Sequence, residues 1–234
     1  MKTSFVDKPA HFPAIQVNGQ PEKKLTQVLL DRRATQHFKS DPVPDEYLEA
    51  ILRFAGQAPS GYNLQPWHFI VVKDHANLTR LKAAAFNQEK VAEAPVVIIA
   101  FGIRGEWRVT MDAILHEGAR RGTLPAEKID SIKKRVEDFM STVPAHVWLS
   151  RHVMIGFTTM MYVAEAYGLD TAPMEGFEPE AVKREFNLPP EAEVIALLAI
   201  GFAKEPDKAY GGRLAVENIV FSERYGTPWK SNMS

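Results

Sequence analysis

The run Pro95-Val96-Val97-Ile98-Ile99-Ala100-Phe101 has no polar residue in it. Its β-branched residues favour a strand, and its lack of alternation means that neither face meets water. Val194 to Ile200 reads the same way. Two strands buried on both faces require a layer of structure above and below them, so the chain must supply helices for each side of a small sheet.

Those helices are legible. Leu25, Val28 and Leu29 follow helical spacing within Glu22–Arg33, and Pro42 and Pro44 then break the chain. Leu48, Ile51, Leu52 and Ala55 lie on one face of a helix over Asp45–Ala58. Phe69–Val72 reads as a strand, followed by helices at about Leu78–Phe86 and Glu89–Glu93. Met111–Ser141 is charged and helical, interrupted near Gly122 and Pro125. Ala145–Tyr167 is a long helix whose middle, Val153 to Ala164, is apolar nearly all round. That helix forms either the centre of a monomer core or a surface shared with a second copy. Leu169–Met174 is a short strand, Pro179–Asn187 a helix with proline near its start, and Ile219-Val220-Phe221 a strand-like run in the tail. The expected fold is α+β: a sheet sandwiched by helices. Residues 1–21 form an N-terminal arm, and 22–234 a single domain that includes a C-terminal arm.

With 45% hydrophobic and 24% charged residues among 234, the core is affordable. A formal net charge of -1 argues against general electrostatic attraction to nucleic acid or anionic lipid. Absence of cysteine removes disulfides, thiolate metal sites and cysteine nucleophiles. The first sixteen residues lack the apolar core of a secretory signal, and no apolar run reaches the roughly 20 residues of a membrane helix. A soluble, cytoplasmic protein is expected.

Self-contained chemistries are missing. Neither a G-x-G-x-x-G nor a G-x-x-x-x-G-K-[ST] phosphate loop is present, and Ser60 has no nucleophile elbow. His116-Glu117-Gly118-Ala119-Arg120 begins like a helical zinc motif, but an arginine stands where the second histidine belongs. No metal is expected, and the gap favours a bound organic cofactor or a binding role.

Three polar clusters lie just outside these elements. Arg32-Arg33-Ala34-Thr35-Gln36 ends the first helix, where cations complement the helix dipole. Tyr210-Gly211-Gly212-Arg213 follows the last long strand and is compatible with an ordinary turn. Together, Arg32, Arg33 and Arg213 carry the charge that a phosphate dianion demands. Pro173-Met174-Glu175-Gly176-Phe177 is a turn in which Gly176 permits close backbone approach to a flat ligand. A fourth stretch, Ala58-Pro59-Ser60-Gly61-Tyr62-Asn63-Leu64-Gln65-Pro66-Trp67-His68-Phe69, runs from turn formers directly into a strand.

Taken in order with Phe38, Asn87 and Lys90, these stretches resemble the nitroreductase family of FMN-dependent NAD(P)H oxidoreductases, from about Leu25 to Trp229. The P-S-x-x-N-x-Q-P-W-x-F segment is the most specific part. The resemblance implies a central mixed sheet flanked by helices, in an intertwined homodimer with FMN at the subunit interface and termini that wrap the partner. Arg32, Arg33, Ala34 and Arg213 would serve the phosphate, and Asn87 and Lys90 the pyrimidine edge. Pro173, Met174, Glu175 and Gly176 would lie by the ring, with the backbone of Glu175 and Gly176 near N5. Pro59, Ser60, Gly61 and Asn63 would belong to the site made largely by the other subunit, with Gln65-Pro66-Trp67 anchoring that loop. Tyr62 and Phe139 would flank the substrate.

Similar bacterial enzymes often have serine where Ala34 stands, and lysines near Gln36 and Gly211. The implied activity is hydride transfer from NADPH or NADH to an electron-poor small-molecule acceptor such as a nitroaromatic or quinone, with no dedicated catalytic side chain. The same scaffold also supports reductive dehalogenation, enoate reduction, flavin fragmentation or plain flavin binding. A helical interaction protein would leave the polar clusters unexplained. Arg104, Arg108, Arg120 and Arg121 are the candidates for a nucleotide 2′-phosphate.

Overall fold

A computed structural model of the chain describes residues 4–5, 22–205 and 209–229. The arm expected over 1–21 therefore lies outside the described residues, apart from Ser4 and Phe5.

The sheet is built from β1 (His68–Val72), β2 (Val96–Ile103), β3 (Asp170–Met174) and β4 (Ala192–Gly201), in the order β1-β2-β4-β3. All three strand pairings are antiparallel. The parallel component is a single bridge between Ala34 and Thr171 beside β3. Alternate residues of the two central strands enter different cores. Ile98, Ala100, Ala196, Leu198 and Ile200 pack against Ile51, Val153, Phe157 and Met160 on one face. Val97, Ile99, Leu197 and Ala199 pack against Leu78, Leu81, Val91 and Val182 on the other. Covering on both sides is the reason the polar alternation is missing from these strands.

The first core belongs to α2 (Asp45–Ala55) and the long α7 (Ala145–Ala166); the second to α3 (His75–Ala84), α4 (Glu89–Glu93) and α8 (Pro179–Glu185). A third cluster joins α5 (Trp107–Arg120) and α6 (Ile129–Thr142) to the start of α7, through Trp107, Met111, Val136, Trp148 and Leu149, with Leu64 among them.

Boundaries moved where tertiary contacts or caps outweigh periodicity. The first helix, α1, covers only Leu25–Asp31. The residues before it are tied to α7 instead: the Lys23 N–H donates to the Ala166 carbonyl at 3.0 Å, and its Nζ to Glu165 Oε1 at 2.6 Å. Burial pushes the Glu165 carboxyl up against the pull of that lysine. α3 begins three residues earlier than its apolar spacing indicates, because Asp74 accepts the Asn77 N–H at 3.0 Å and caps it. The strand expected at Ile219-Val220-Phe221 is not one. Val216–Ile219 is a short helix, α9, and Phe221 makes one bridge, to Pro228, because the chain turns back on itself through Glu223 and Gly226 before any ladder can extend.

Close packing seats the 58–67 loop on the sheet. Trp67 and Pro66 are buried, and Gly102 of β2 lies directly beneath: a Cβ there would stand 2.7 Å from Leu149 Cδ2 and 3.1 Å from the Pro66 carbonyl oxygen. Neither side has room to give. Gly102→Ala is expected to lower the unfolding free energy by about 1–3 kcal/mol. An unchanged midpoint in chemical denaturation would show that this contact relaxes without cost.

Candidate functional site

The expected site residues fall into two groups at opposite edges of the sheet. The first group is strung along β3. At its start, Ala34 bridges Thr171, and the Thr35 N–H donates to the Thr171 carbonyl at 3.0 Å. This brings the end of α1, with Arg32 and Arg33, against the strand. Arg33 Cζ lies 4.8 Å from the centre of the Tyr210 ring and Arg213 Cζ 5.5 Å from it. Two cations distant in sequence therefore meet at one aromatic side chain. Arg33 Nη1 donates to the Leu30 and Arg32 carbonyls, and Arg213 Nη1 to the Gly212 carbonyl; neither is ion-paired with a carboxylate among the described residues. Gln36 is exposed, and its Nε2 folds back to the Ala34 carbonyl at 3.3 Å.

At the far end of β3, Pro173 is half-buried, Met174 is buried, and Glu175 and Gly176 are exposed. Gln88 Nε2 donates to the Gly176 carbonyl at 2.7 Å and to the Ala85 carbonyl at 3.2 Å. Phe86 and Asn87 both have left-handed backbone, with φ of 53° and 58°. Lys90 sits half-buried on α4 close behind. From Thr171 to Gly176 is five residues of extended chain, about 16 Å at roughly 3.3 Å per residue. A cationic end and an amide-rich end are thus separated by the length of a strand.

The second group precedes β1. Pro59 is exposed, Ser60 Oγ accepts the Gln65 N–H at 2.9 Å, and Gln65 Nε2 donates to the Asn63 carbonyl at 3.1 Å. Tyr62, Asn63 and Gln65 all take positive φ, 54°, 57° and 45°. Three such residues in four are a costly backbone, held by surrounding structure and typical of ligand-contacting loops. Gly61 packs closely here: a Cβ would stand 3.0 Å from His152 Nε2, which would have to shift. Below it the Trp148 indole N–H is buried without a partner among the described residues. The Tyr62 and Phe139 rings meet at 5.9 Å, so the loop touches α6 through the two residues expected to flank a substrate.

The amide-rich end of the first group and the loop of the second lie at the same end of the sheet. His68, which opens β1, pairs with Phe101; Met174, which closes β3, pairs with Leu197, itself opposite Ile99. Across the sheet they are three strands apart, about 14 Å at roughly 4.8 Å each. One copy of the chain does not close them on each other.

Phe86, Gln88, Tyr210, Trp148 and His152 join the set without having been singled out for it. Gln88 adjoins Asn87 and Tyr210 opens the Arg213 cluster, so proximity in sequence was the available signal. Trp148 and His152 had none beyond their i, i+4 spacing on one helix face. Of the cations considered for a 2′-phosphate, Arg104 pairs with Glu193, and both Arg120 and Arg121 with Glu117. Arg108 lies over the Trp107 ring at 4.4 Å.

The architecture and the two polar groups define a class. Residues 29–202 match the model of the nitroreductase family, and the chain belongs to it. It is 36% identical over 194 residues to an NADH dehydrogenase of Thermus thermophilus, covering 82% of this chain and 92% of that one. It is 26% identical to the oxygen-insensitive NAD(P)H nitroreductase of Salmonella typhimurium, over 70% of this chain and 81% of that one. Among solved structures, one from Bacillus subtilis superposes with a TM-score of 0.79 at 28% identity, covering 84% of this chain and 97% of the other. An FMN complex from Exiguobacterium sibiricum gives 0.77 at 25% identity, covering 87% and 99%.

The abandoned zinc motif has a structural role instead. Arg120 Nε and Arg121 Nε reach the Glu117 carboxylate at 2.7 and 2.5 Å, with Arg120 the stronger influence, and together they hold its pKa down at about 2. A carboxylate with a depressed folded pKa contributes stability that is complete above the ordinary value of 4.5 and is lost as pH falls towards about 2. Glu117→Gln should therefore lose less stability than wild type on acidification through that window. Parallel stability curves for the two proteins would contradict this.

Proposed function

We propose that the protein is an FMN-dependent oxidoreductase that takes hydride from NADPH or NADH and delivers it to an electron-poor acceptor such as a nitroaromatic or a quinone. The observation that carries this is the two-ended arrangement along β3. The guanidiniums of Arg33 and Arg213, gathered at Tyr210 without an ion pair to a carboxylate among the described residues, suit a phosphate dianion. Gly176 and the Asn87–Gln88 corner, about one strand length away, suit the heteroatom edge of a flat ring. A tricyclic ring joined to phosphate through a ribityl chain has both features at that separation. The FMN complex and the NAD(P)H-dependent relatives support the same assignment.

When bound, FMN supplies the two-electron chemistry, accepting and returning hydride at N5. The chain supplies binding and orientation. Gln88 fixes the Gly176 peptide, so that the Glu175–Gly176 backbone faces the ring, and Asn87 and Lys90 address its pyrimidine edge. Arg32, Arg33 and Arg213 hold the phosphate, with Ala34 contributing backbone. The remaining wall comes from a second copy, whose Pro59–Asn63 loop and Tyr62–Phe139 pair cover the ring and shape the acceptor pocket. The 14 Å separation within one copy supports this. So does a cavity of about 320 Å³ lined mainly by apolar residues, Leu25, Val28, Phe54, Tyr162 and Val163, with Glu22, Lys23 and Thr159 also on its wall, which marks the face for the homodimer. In this reading 22–234 is one flavin-binding domain and 1–21 an arm lying across the partner. No helix among the described residues is long and apolar enough to cross a membrane, in keeping with a cytoplasmic setting.

Anaerobic addition of NADPH or NADH to purified protein is expected to bleach flavin absorbance. Donor and acceptor share one pocket, so double-reciprocal plots should be parallel. Protein that takes up no flavin after incubation with FMN would refute the assignment, and intersecting plots would refute the shared pocket. Gln36 is a neutral amide turned onto its own backbone, and stabilises negative charge on the ring less than a lysine would. Gln36→Lys should raise the flavin midpoint potential; a redox titration without an upward shift would disprove that role.

A further inference from the structure

Tyr210 brings no cation of its own to a phosphate site, and the residue is 60% exposed. Its position is nonetheless specific. The ring lies within cation–π range of both Arg33 and Arg213, which reach it from segments at opposite ends of the described chain. The backbone leading to Arg213 is the most permissive available: Gly211 and Gly212 precede it, Gly212 has φ of 80°, and a Cβ on either glycine would meet nothing within 4 Å. A guanidinium on such a tether loses much conformational freedom when it is ordered around an anion. Gly211 also leaves the stretch without a lysine, so arginine placement carries the anion-binding end of the site.

We infer that Tyr210 is a positioning residue that holds Arg33 and Arg213 at one ring as a preformed receptor for the phosphate of the flavin mononucleotide. This rests on the flavin assignment above. Two like charges at one ring repel each other, and the negative face of the aromatic system offsets part of that cost before any anion arrives. The dianion then meets donors that are already ordered. The ring face does this work, not the hydroxyl, and its effect is confined to the phosphate end of the ligand.

The test titrates full-length apoprotein with FMN and with riboflavin, which has the same ring and ribityl chain but no phosphate, following flavin fluorescence. Wild type, Tyr210→Phe and Tyr210→Leu are compared. Tyr210→Leu should weaken FMN binding by roughly 5- to 30-fold, as expected for losing two exposed cation–π contacts. It should leave riboflavin affinity and melting temperature unchanged. Tyr210→Phe should bind both flavins as wild type does. FMN affinity unaltered in Tyr210→Leu overturns the inference, as does an equal loss for both flavins, or failure of phenylalanine to rescue. Wild-type protein that binds neither flavin overturns the flavin assignment itself, and the receptor with it.

Discussion

Burial of β2 and β4 on both faces is the constraint from which the rest of the structure follows. Each strand sends alternate side chains into two separate cores, so helices must cover both sides, and the sheet edges are left to other duties. One edge carries β1 and the loop that leads into it. The other carries β3, its bridge to Ala34, and the cationic and amide clusters at its two ends. The candidate site is therefore peripheral to a rigid centre, an arrangement that lets loops specialise while the scaffold stays fixed.

Electrostatics divide along the same lines. Several other surface cations are paired with carboxylates: Arg104 with Glu193, Arg120 and Arg121 with Glu117, Lys23 with Glu165. Arg33 and Arg213 meet an aromatic ring instead, which leaves their charge available to an anion. The second edge is shaped by backbone rather than charge. Tyr62, Asn63 and Gln65 hold a left-handed conformation beside buried Trp148 and half-buried His152, and the Tyr62 ring meets Phe139 of α6.

Much of this was legible beforehand, and the exceptions are physical. β2, β4, α4 and α7 were recognised close to their observed limits because hydrophobic period and length specify them. α1 was shortened because Lys23 is drawn to α7, and the tail strand failed because the chain turns back within a few residues, leaving Phe221 a single bridge to Pro228. Among the site residues, the segments themselves were recognisable from their residue types and order. Gln88, Trp148 and His152 escaped because their significance lies in what they touch: the Gly176 carbonyl, Gly61 and each other.

The amino-acid sequence by itself determined that the chain is α+β, which strands are central, and which polar segments stand outside the core. These properties depend on residue type and spacing along a single chain. Only the tertiary structure decided that the polar segments divide between two edges of one sheet, that Arg33 and Arg213 converge on Tyr210, and that Tyr62 reaches Phe139. Strand order and long-range packing set those distances. No local periodicity encodes the neighbour that a side chain meets across so long a stretch of intervening chain.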